Sequence, residues 1–162
     1  MMASDSQFPV ALLTEQLKAL AARFNEVGLQ YALCGGMAVA AYGYVRFTKD
    51  IDFIIGKSSV DLAKEAAKSC GYWIDNGVLP FPQSRFDAYR LAKIEMNEVL
   101  PIDFLMLPDD DPMLARAVDA EIEGVKCRLV SLKDLVDLKT EAGRANDLVD
   151  IEQLRLLYGD LA

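Results

Sequence analysis

Histidine is absent from this 162-residue chain, and its absence excludes several catalytic designs at once. A Ser-His-Asp triad, a Cys-His pair and an imidazole zinc ligand all require histidine. Any catalysis must therefore rest on carboxylates, lysine, arginine, tyrosine or a bound metal. No apolar run approaches the roughly 18 residues of a membrane-spanning helix, and no signal-peptide pattern opens the chain. We therefore expect a protein that does not associate with membranes.

Cysteine is scarce, and positive charge is outnumbered by negative charge. Cys34, Cys70 and Cys127 form an odd, scattered set, which favours reduced thiols and a cytoplasmic protein. The formal net charge of −8 disfavours non-specific binding to a nucleic-acid backbone, since such binding needs clustered lysine and arginine. The length and the apolar content of 52% predict one domain over residues 1–162, with its core at about 10–157.

The spacing of apolar residues predicts helices that alternate with strands. The predicted helices span 9–27, 36–43, 59–69, 111 to about 123, 131–141 and 146–158. The predicted strands span 30–34, 50–55, 85–96, 99–107 and 125–130, and a turn near Asn97 joins two of them into a hairpin. This order predicts an α/β (α+β) fold in which helices flank a mixed β-sheet.

Three aspartates are candidates for a metal site. Asp50 and Asp52 are two residues apart in a predicted strand, so both carboxylates point to the same side of it. Such a pair favours a hard cation such as Mg²⁺, although a solvated strand end is the alternative. Asp103 is the sole charge in 99–107, and a lone buried charge is costly unless it is paired or bound to metal. It either pairs with a nearby arginine or completes a three-carboxylate cluster with Asp50 and Asp52.

Two consecutive glycines, Gly35 and Gly36, stand at the turn from strand 30–34 into the next helix. Glycine lets backbone amides approach a ligand, and the start of a helix favours anions. A tight turn that needs glycine for packing is the alternative. Because the helix leads directly back to the Asp50–Asp52 strand, the arrangement favours a phosphate site beside a metal site.

The run from Gly35 to Asp52 resembles the signature of the nucleotidyltransferase superfamily of the DNA polymerase β type. It contains the glycine pair, thirteen further residues and the D-I-D unit, with Arg46 and Thr48 between them. It is most similar to stand-alone minimal and AbiEii-like bacterial members, many of which belong to toxin–antitoxin or phage-defence loci. The segment from Lys139 to Asp150 resembles a second, softer signature of the family.

The resemblance implies a nucleotidyltransferase fold and specific roles for eight residues. It implies that Asp50, Asp52 and Asp103 are catalytic residues that bind Mg²⁺ or Mn²⁺, and that Asp103 helps to deprotonate an acceptor hydroxyl. The nucleoside triphosphate would be bound by Gly35, Gly36, Arg46, Thr48 and Lys139. The implied reaction is attack of the acceptor hydroxyl on the α-phosphate, which transfers the nucleoside monophosphate and releases pyrophosphate.

The resemblance leaves the acceptor open among a protein, an RNA end and a small molecule. A cognate toxin or antitoxin and a second copy of the chain are further expected partners. A non-catalytic binding or sensor subunit with the same fold is the alternative function. At the level of residues, Lys139 is alternatively a solvated surface lysine and Thr48 an ordinary strand residue. Arg144, which lies in the second signature, is alternatively only an ion-pair partner of Asp147 or Asp150.

Overall fold

The computed structural model describes residues 10–80 and 85–160, which form a mixed sheet with associated helices. The helices are α1 (Val10–Val27), α2 (Gly35–Ala41), α3 (Val60–Ser69), α4 (Pro112–Ala115), α5 (Leu132–Ala142) and α6 (Ala145–Tyr158). The strands are β1 (Tyr31–Cys34), β2 (Ile51–Gly56), β3 (Ile74–Leu79), β4 (Ala88–Glu95), β5 (Glu98–Leu107), β6 (Val118–Ile122) and β7 (Val125–Leu129). The predicted α/β class with a mixed sheet is confirmed.

The seven strands form one sheet in the order β3-β4-β5-β2-β1-β7-β6. The central strand β2 runs parallel to β5 and antiparallel to β1, and β1 runs parallel to β7. Two hairpins, β4–β5 and β6–β7, complete the sheet through two-residue turns at Met96-Asn97 and Glu123-Gly124. All four turn residues have positive φ, as a type I′ turn requires.

The packing of α1 determines which face of the sheet is available for a site. Phe24 of α1 contacts the rings of Phe53 and Phe104, with centroids 5.0 Å and 5.9 Å away. Because side chains alternate across a strand, the neighbouring Asp52 and Asp103 lie on the opposite face. The apolar stripe that α1 buries consists of Leu13, Leu17, Leu20, Ala21 and Phe24.

The predicted helix from residue 111 to about 123 is wrong beyond its first turn. Asp111 does cap a helix, because its side chain accepts a hydrogen bond from the Met113 N–H, but α4 ends at Ala115. The chain then forms β6, an edge strand with mostly exposed side chains that pairs with β7. The Glu123-Gly124 turn folds these two strands together, and this pairing overrides the helical propensity of alanine and glutamate.

Strand β3 is absent from the sequence prediction; it contains Asn76-Gly77, a pair that is typical of a turn. In the structure the pairing with β4 shifts register between Asp75 and Gly77, and this irregularity accommodates the two residues. The other predicted elements are observed with small shifts at their ends, although position 9 of the first helix lies outside the described residues. Within residues 10–80 and 85–160, no helix is long and apolar enough to cross a membrane.

Candidate functional site

The three aspartates meet at the centre of the sheet. Strands β2 and β5 are parallel neighbours, and their register places Asp52 directly beside Asp103. Asp50 immediately precedes β2, two residues before Asp52. One carboxylate oxygen from each aspartate lies within 4.8 Å of the others. Carboxylate oxygens grouped in this way are the ligands that Mg²⁺ and Mn²⁺ prefer, so the donor set fits a divalent cation.

The electrostatics of the cluster also fit a cation. Burial raises the pKa of Asp50 to about 6, and the nearby charge of Asp103 adds to this effect. Burial likewise raises the pKa of Asp52 well above its ordinary value, with further contributions from the charges of Asp50 and Asp103. Without a cation, the negative charges on these groups therefore oppose one another.

Arg90, which the sequence prediction did not include, is part of the site. Its Nε and Nη2 donate hydrogen bonds to the two carboxylate oxygens of Asp103, at 2.7 Å and 2.8 Å. Nη2 also lies 3.6 Å from Asp50 Oδ2. The predicted alternative, an arginine partner for Asp103, is therefore observed together with the carboxylate cluster.

The two glycines allow the start of α2 to lie against the cluster. Gly35 has a φ of +68°, and a Cβ added to it would lie 2.1 Å from Asp52 Oδ2. A Cβ on Gly36 would lie 2.7 Å from the hydroxyl oxygen of Thr48, which is buried. Only residues without side chains fit at these two positions, because the added carbons would overlap site residues.

A network of ion pairs borders the aspartate cluster, and its members Lys139, Asp147 and Asp150 are buried. Lys139 is 7% exposed, and its Nζ lies 3.0 Å from Asp147 Oδ1 and 2.9 Å from Asp150 Oδ2. Arg46 donates two hydrogen bonds of 2.7 Å to Asp150, and Arg144 donates one of 2.7 Å to Asp147. The alternative of a solvated Lys139 is therefore wrong, and the pairing of Arg144 with Asp147 is observed.

The cations around Asp147 favour its charged form. Burial by itself raises the pKa of Asp147, but the hydrogen bond from Arg144 and the charge of Lys139 lower it below its ordinary value. The hydrogen bonds to Asp150 raise the pKa of the Arg46 guanidinium. Asp147 and Asp150 therefore position the three cationic side chains, and of these contacts the sequence prediction includes only the pairing of Arg144.

The predicted site residues line two adjoining cavities. The first cavity has a volume of about 190 Å³, and its lining includes Gly35, Asp50, Asp52, Asp103 and Lys139. The second has a volume of about 390 Å³ and shares Asp50, Asp52 and Lys139 with the first; its lining adds Gly36, Arg46 and Thr48. All eight predicted residues thus surround one concave region, whose lining contains both carboxylates and cationic side chains.

We expect Asp150→Asn to destabilise the protein by roughly 3 kcal/mol, because it removes the charge that Arg46 and Lys139 share. Urea unfolding measures this change. Asp119→Asn is the matched control: Asp119 also pairs with an arginine, Arg128, but its side chain is 90% exposed, so we expect a change of less than about 0.5 kcal/mol. Equal effects of the two variants would contradict a positioning role for Asp150.

We expect the stability of the metal-free protein to fall relative to that of Asp50→Asn as the pH rises from about 4 to 7. The pKa of Asp50 is about 6 in the folded protein and near 3.8 when unperturbed, so the folded state binds more protons between these values. Ionisation of Asp50 then lowers the free energy of unfolding of the wild type by on the order of 2 kcal/mol. The asparagine variant has no such group at this position and does not lose this stability. Urea unfolding in EDTA measures the difference, and a pH-independent difference would contradict the raised pKa.

Comparisons with known proteins identify the fold and the family. An antigenic nucleotidyltransferase-like protein from Paracoccidioides brasiliensis is 20% identical, with a TM-score of 0.60 over 93% of this chain and 78% of that one. The lincosamide antibiotic adenylyltransferase LnuA, with lincomycin bound, is 20% identical, with a TM-score of 0.61 over 88% and 96%. ANT(2″)-Ia in complex with adenylyl-2″-tobramycin is 17% identical, with a TM-score of 0.57 over 90% and 88%.

At these identities the likeness establishes the fold, and the predicted nucleotidyltransferase fold is confirmed. Among curated proteins, none matches the chain. Residues 13–161 match the model of a family described as "Nucleotidyl transferase of unknown function (DUF2204)". This match covers most of the length of the chain, and the resemblance of the Gly35–Asp52 run had predicted a nucleotidyltransferase. The chain therefore belongs to that family.

Proposed function

We propose that this chain transfers a nucleoside monophosphate from a nucleoside triphosphate to a hydroxyl group, in a reaction that depends on Mg²⁺ or Mn²⁺. The observation that carries the proposal is the cluster of Asp50, Asp52 and Asp103, whose oxygens lie within 4.8 Å of one another beside the glycine turn. The ion, when bound, neutralises charge on phosphate oxygens and activates the attacking hydroxyl.

The residues around the cluster have complementary roles in this proposal. The three aspartates hold the ion, and the backbone at Gly35 and Gly36 lies where no side chain keeps the triphosphate away. Three cations that line the second cavity, Arg46, Lys139 and Arg144, offset the negative charge of the phosphates, and the Thr48 hydroxyl lies beside Gly36. Positioning and charge neutralisation of this kind account for most catalysis of phosphoryl and nucleotidyl transfer.

The acceptor is proposed as a small hydroxylated molecule, a protein or an RNA end. LnuA is a lincosamide antibiotic adenylyltransferase, and ANT(2″)-Ia was solved with an adenylylated tobramycin, so small acceptors are used on this fold. Membership of a toxin–antitoxin or defence system, a cytoplasmic location and a homodimer stay predictions from the sequence. A non-catalytic sensor is the alternative function.

The test is transfer of label from each of the four nucleoside triphosphates, labelled at the α-phosphate, with Mg²⁺ or Mn²⁺ present. Protein, RNA and small-molecule fractions of a bacterial lysate serve as acceptors, and folded Asp52→Asn is the control. Label that requires Asp52 supports the proposal and shows the acceptor class. Nucleotide binding without transfer favours the sensor, and a protein that neither binds nor transfers nucleotide overturns the proposal.

A further inference from the structure

Arg90 forms an ion pair with Asp103, the third carboxylate of the candidate metal site. Both oxygens of Asp103 accept hydrogen bonds from Arg90, and the Asp103 side chain is only 1% exposed. The same guanidinium lies 3.6 Å from Asp50 Oδ2, so two of the three carboxylates share its single positive charge. The Arg90 guanidinium therefore contacts carboxylates that are also the candidate ligands of a metal ion.

A divalent ion held by this cluster would share Asp50 and Asp103 with the Arg90 guanidinium, and the like charges of the ion and the guanidinium would repel each other. We propose that Arg90 and the divalent cation compete for Asp103, so that Arg90 keeps the cluster weakly loaded with metal until it is displaced. This inference rests on the metal-dependent function proposed above. It makes Arg90 a positioning residue that acts through Asp103.

The structure contains space into which Arg90 can move. Its side chain is 31% exposed and borders a further cavity of about 350 Å³ on the β3–β4–β5 part of the sheet. The other residues that line this cavity are Lys49, Asp50, Asn76, Ala92, Val99 and Pro101. Release of Asp103 therefore requires a change of side-chain conformation and no rearrangement of the buried core.

The chain provides a matched pair elsewhere. Arg116 donates two hydrogen bonds, of 2.9 Å and 2.8 Å, to the carboxylate of Asp134, whose side chain is 6% exposed. This pair has the same chemistry as Arg90 and Asp103, but neither of its members lines the three cavities described here. A substitution of Arg116 therefore separates the loss of a buried ion pair from an effect on the metal site.

The test is Mn²⁺ binding in the absence of nucleotide, measured from the electron paramagnetic resonance signal of the free ion. We expect Arg90→Gln to bind Mn²⁺ about tenfold more tightly than the wild type, or more, because the competing charge is gone. Arg90→Lys keeps the charge but cannot reproduce the two parallel hydrogen bonds to Asp103, so we expect a dissociation constant between those of the wild type and Arg90→Gln. Arg116→Gln is expected to leave the wild-type constant unchanged.

Wild-type or weaker affinity in folded Arg90→Gln overturns the inference and leaves the metal-dependent function standing. Absence of Mn²⁺ binding in every variant overturns both. A second measurement covers the case in which Arg90→Gln does not fold. It follows the Nε–H nuclear magnetic resonance signal of Arg90 in the wild type, which is assigned by its absence from the spectrum of Arg90→Lys. We expect saturating Mg²⁺ to shift this signal and to leave that of Arg116 in place, and an unmoved Arg90 signal overturns the inference.

Discussion

Asp52→Asn is expected to lower the rate of nucleotidyl transfer by roughly 10³-fold and to leave the protein folded. Asp52 is the central member of the carboxylate cluster, since it adjoins Asp103 in register and follows Asp50 by two residues. Stabilisation of transition-state charge by a bound metal amounts to several kcal/mol, and each 1.4 kcal/mol changes a rate tenfold. Loss of a ligand removes much of this stabilisation.

The stability of Asp52→Asn should be equal to or higher than that of the metal-free wild type. Burial and the neighbouring charges of Asp50 and Asp103 disfavour ionised Asp52, as the raised pKa shows, and asparagine carries no charge. The unfolding free energy in EDTA and the label-transfer rate measure the two effects separately. A variant that is stabilised but inactive identifies a residue kept for function at a cost in stability.

Asp134→Asn is the matched control for this prediction. Asp134 is also buried, but it pairs with Arg116 and does not line the cavities. Its backbone N–H donates a hydrogen bond to the Oγ of Ser131, which caps α5. We expect this variant to lose stability and to keep its transfer rate at temperatures where it is folded. If Asp52→Asn keeps a rate comparable to that of Asp134→Asn, the carboxylate cluster is not the catalytic centre.

The part of the site that depends on strand periodicity was accessible from the sequence. Alternation along β2 directs Ile51 and Phe53 into the core and leaves Asp52 on the other face. The lone charge of Asp103 in an apolar strand predicted a partner or a metal. Arg90 was accessible as well, because counting outward from the two-residue turn at Met96-Asn97 pairs position 90 with position 103.

Apart from the pairing of Arg144 with Asp147, three residues apart, the ion-pair network could not be derived from the sequence. Asp150 lies 104 residues after Arg46, and no local pattern shows that α6 brings its carboxylate to that guanidinium. The spacing of Lys139 on α5 is compatible with an exposed helix face, and only the packing of α5 against α6 buries it. Strand β6 was missed for a similar reason: its partner β7, rather than its own composition, determines its conformation.

Gly35→Ala is expected to affect both stability and activity, and Gly28→Ala separates the two effects. Gly35 and Gly28 have nearly equal φ angles, +68° and +73°, so alanine costs about 1–2 kcal/mol of backbone strain at either position. At Gly28 the added carbon has no heavy atom within 4 Å, whereas at Gly35 it overlaps the Asp52 carboxylate. Only Gly35→Ala must displace a proposed metal ligand, Asp52.

We therefore expect Gly35→Ala to lower the transfer rate by about 10²-fold or more and to weaken Mn²⁺ binding, since small misplacements of catalytic groups have effects of this size. Gly28→Ala should lose a similar amount of backbone stability and keep both properties. Urea unfolding, label transfer and Mn²⁺ binding of the two variants provide the comparison. If the two alanines are equally harmless to activity, the glycine serves the turn alone. If only Gly35→Ala is impaired, the glycine belongs to the site, because α2 can approach the carboxylates only where no side chain intervenes.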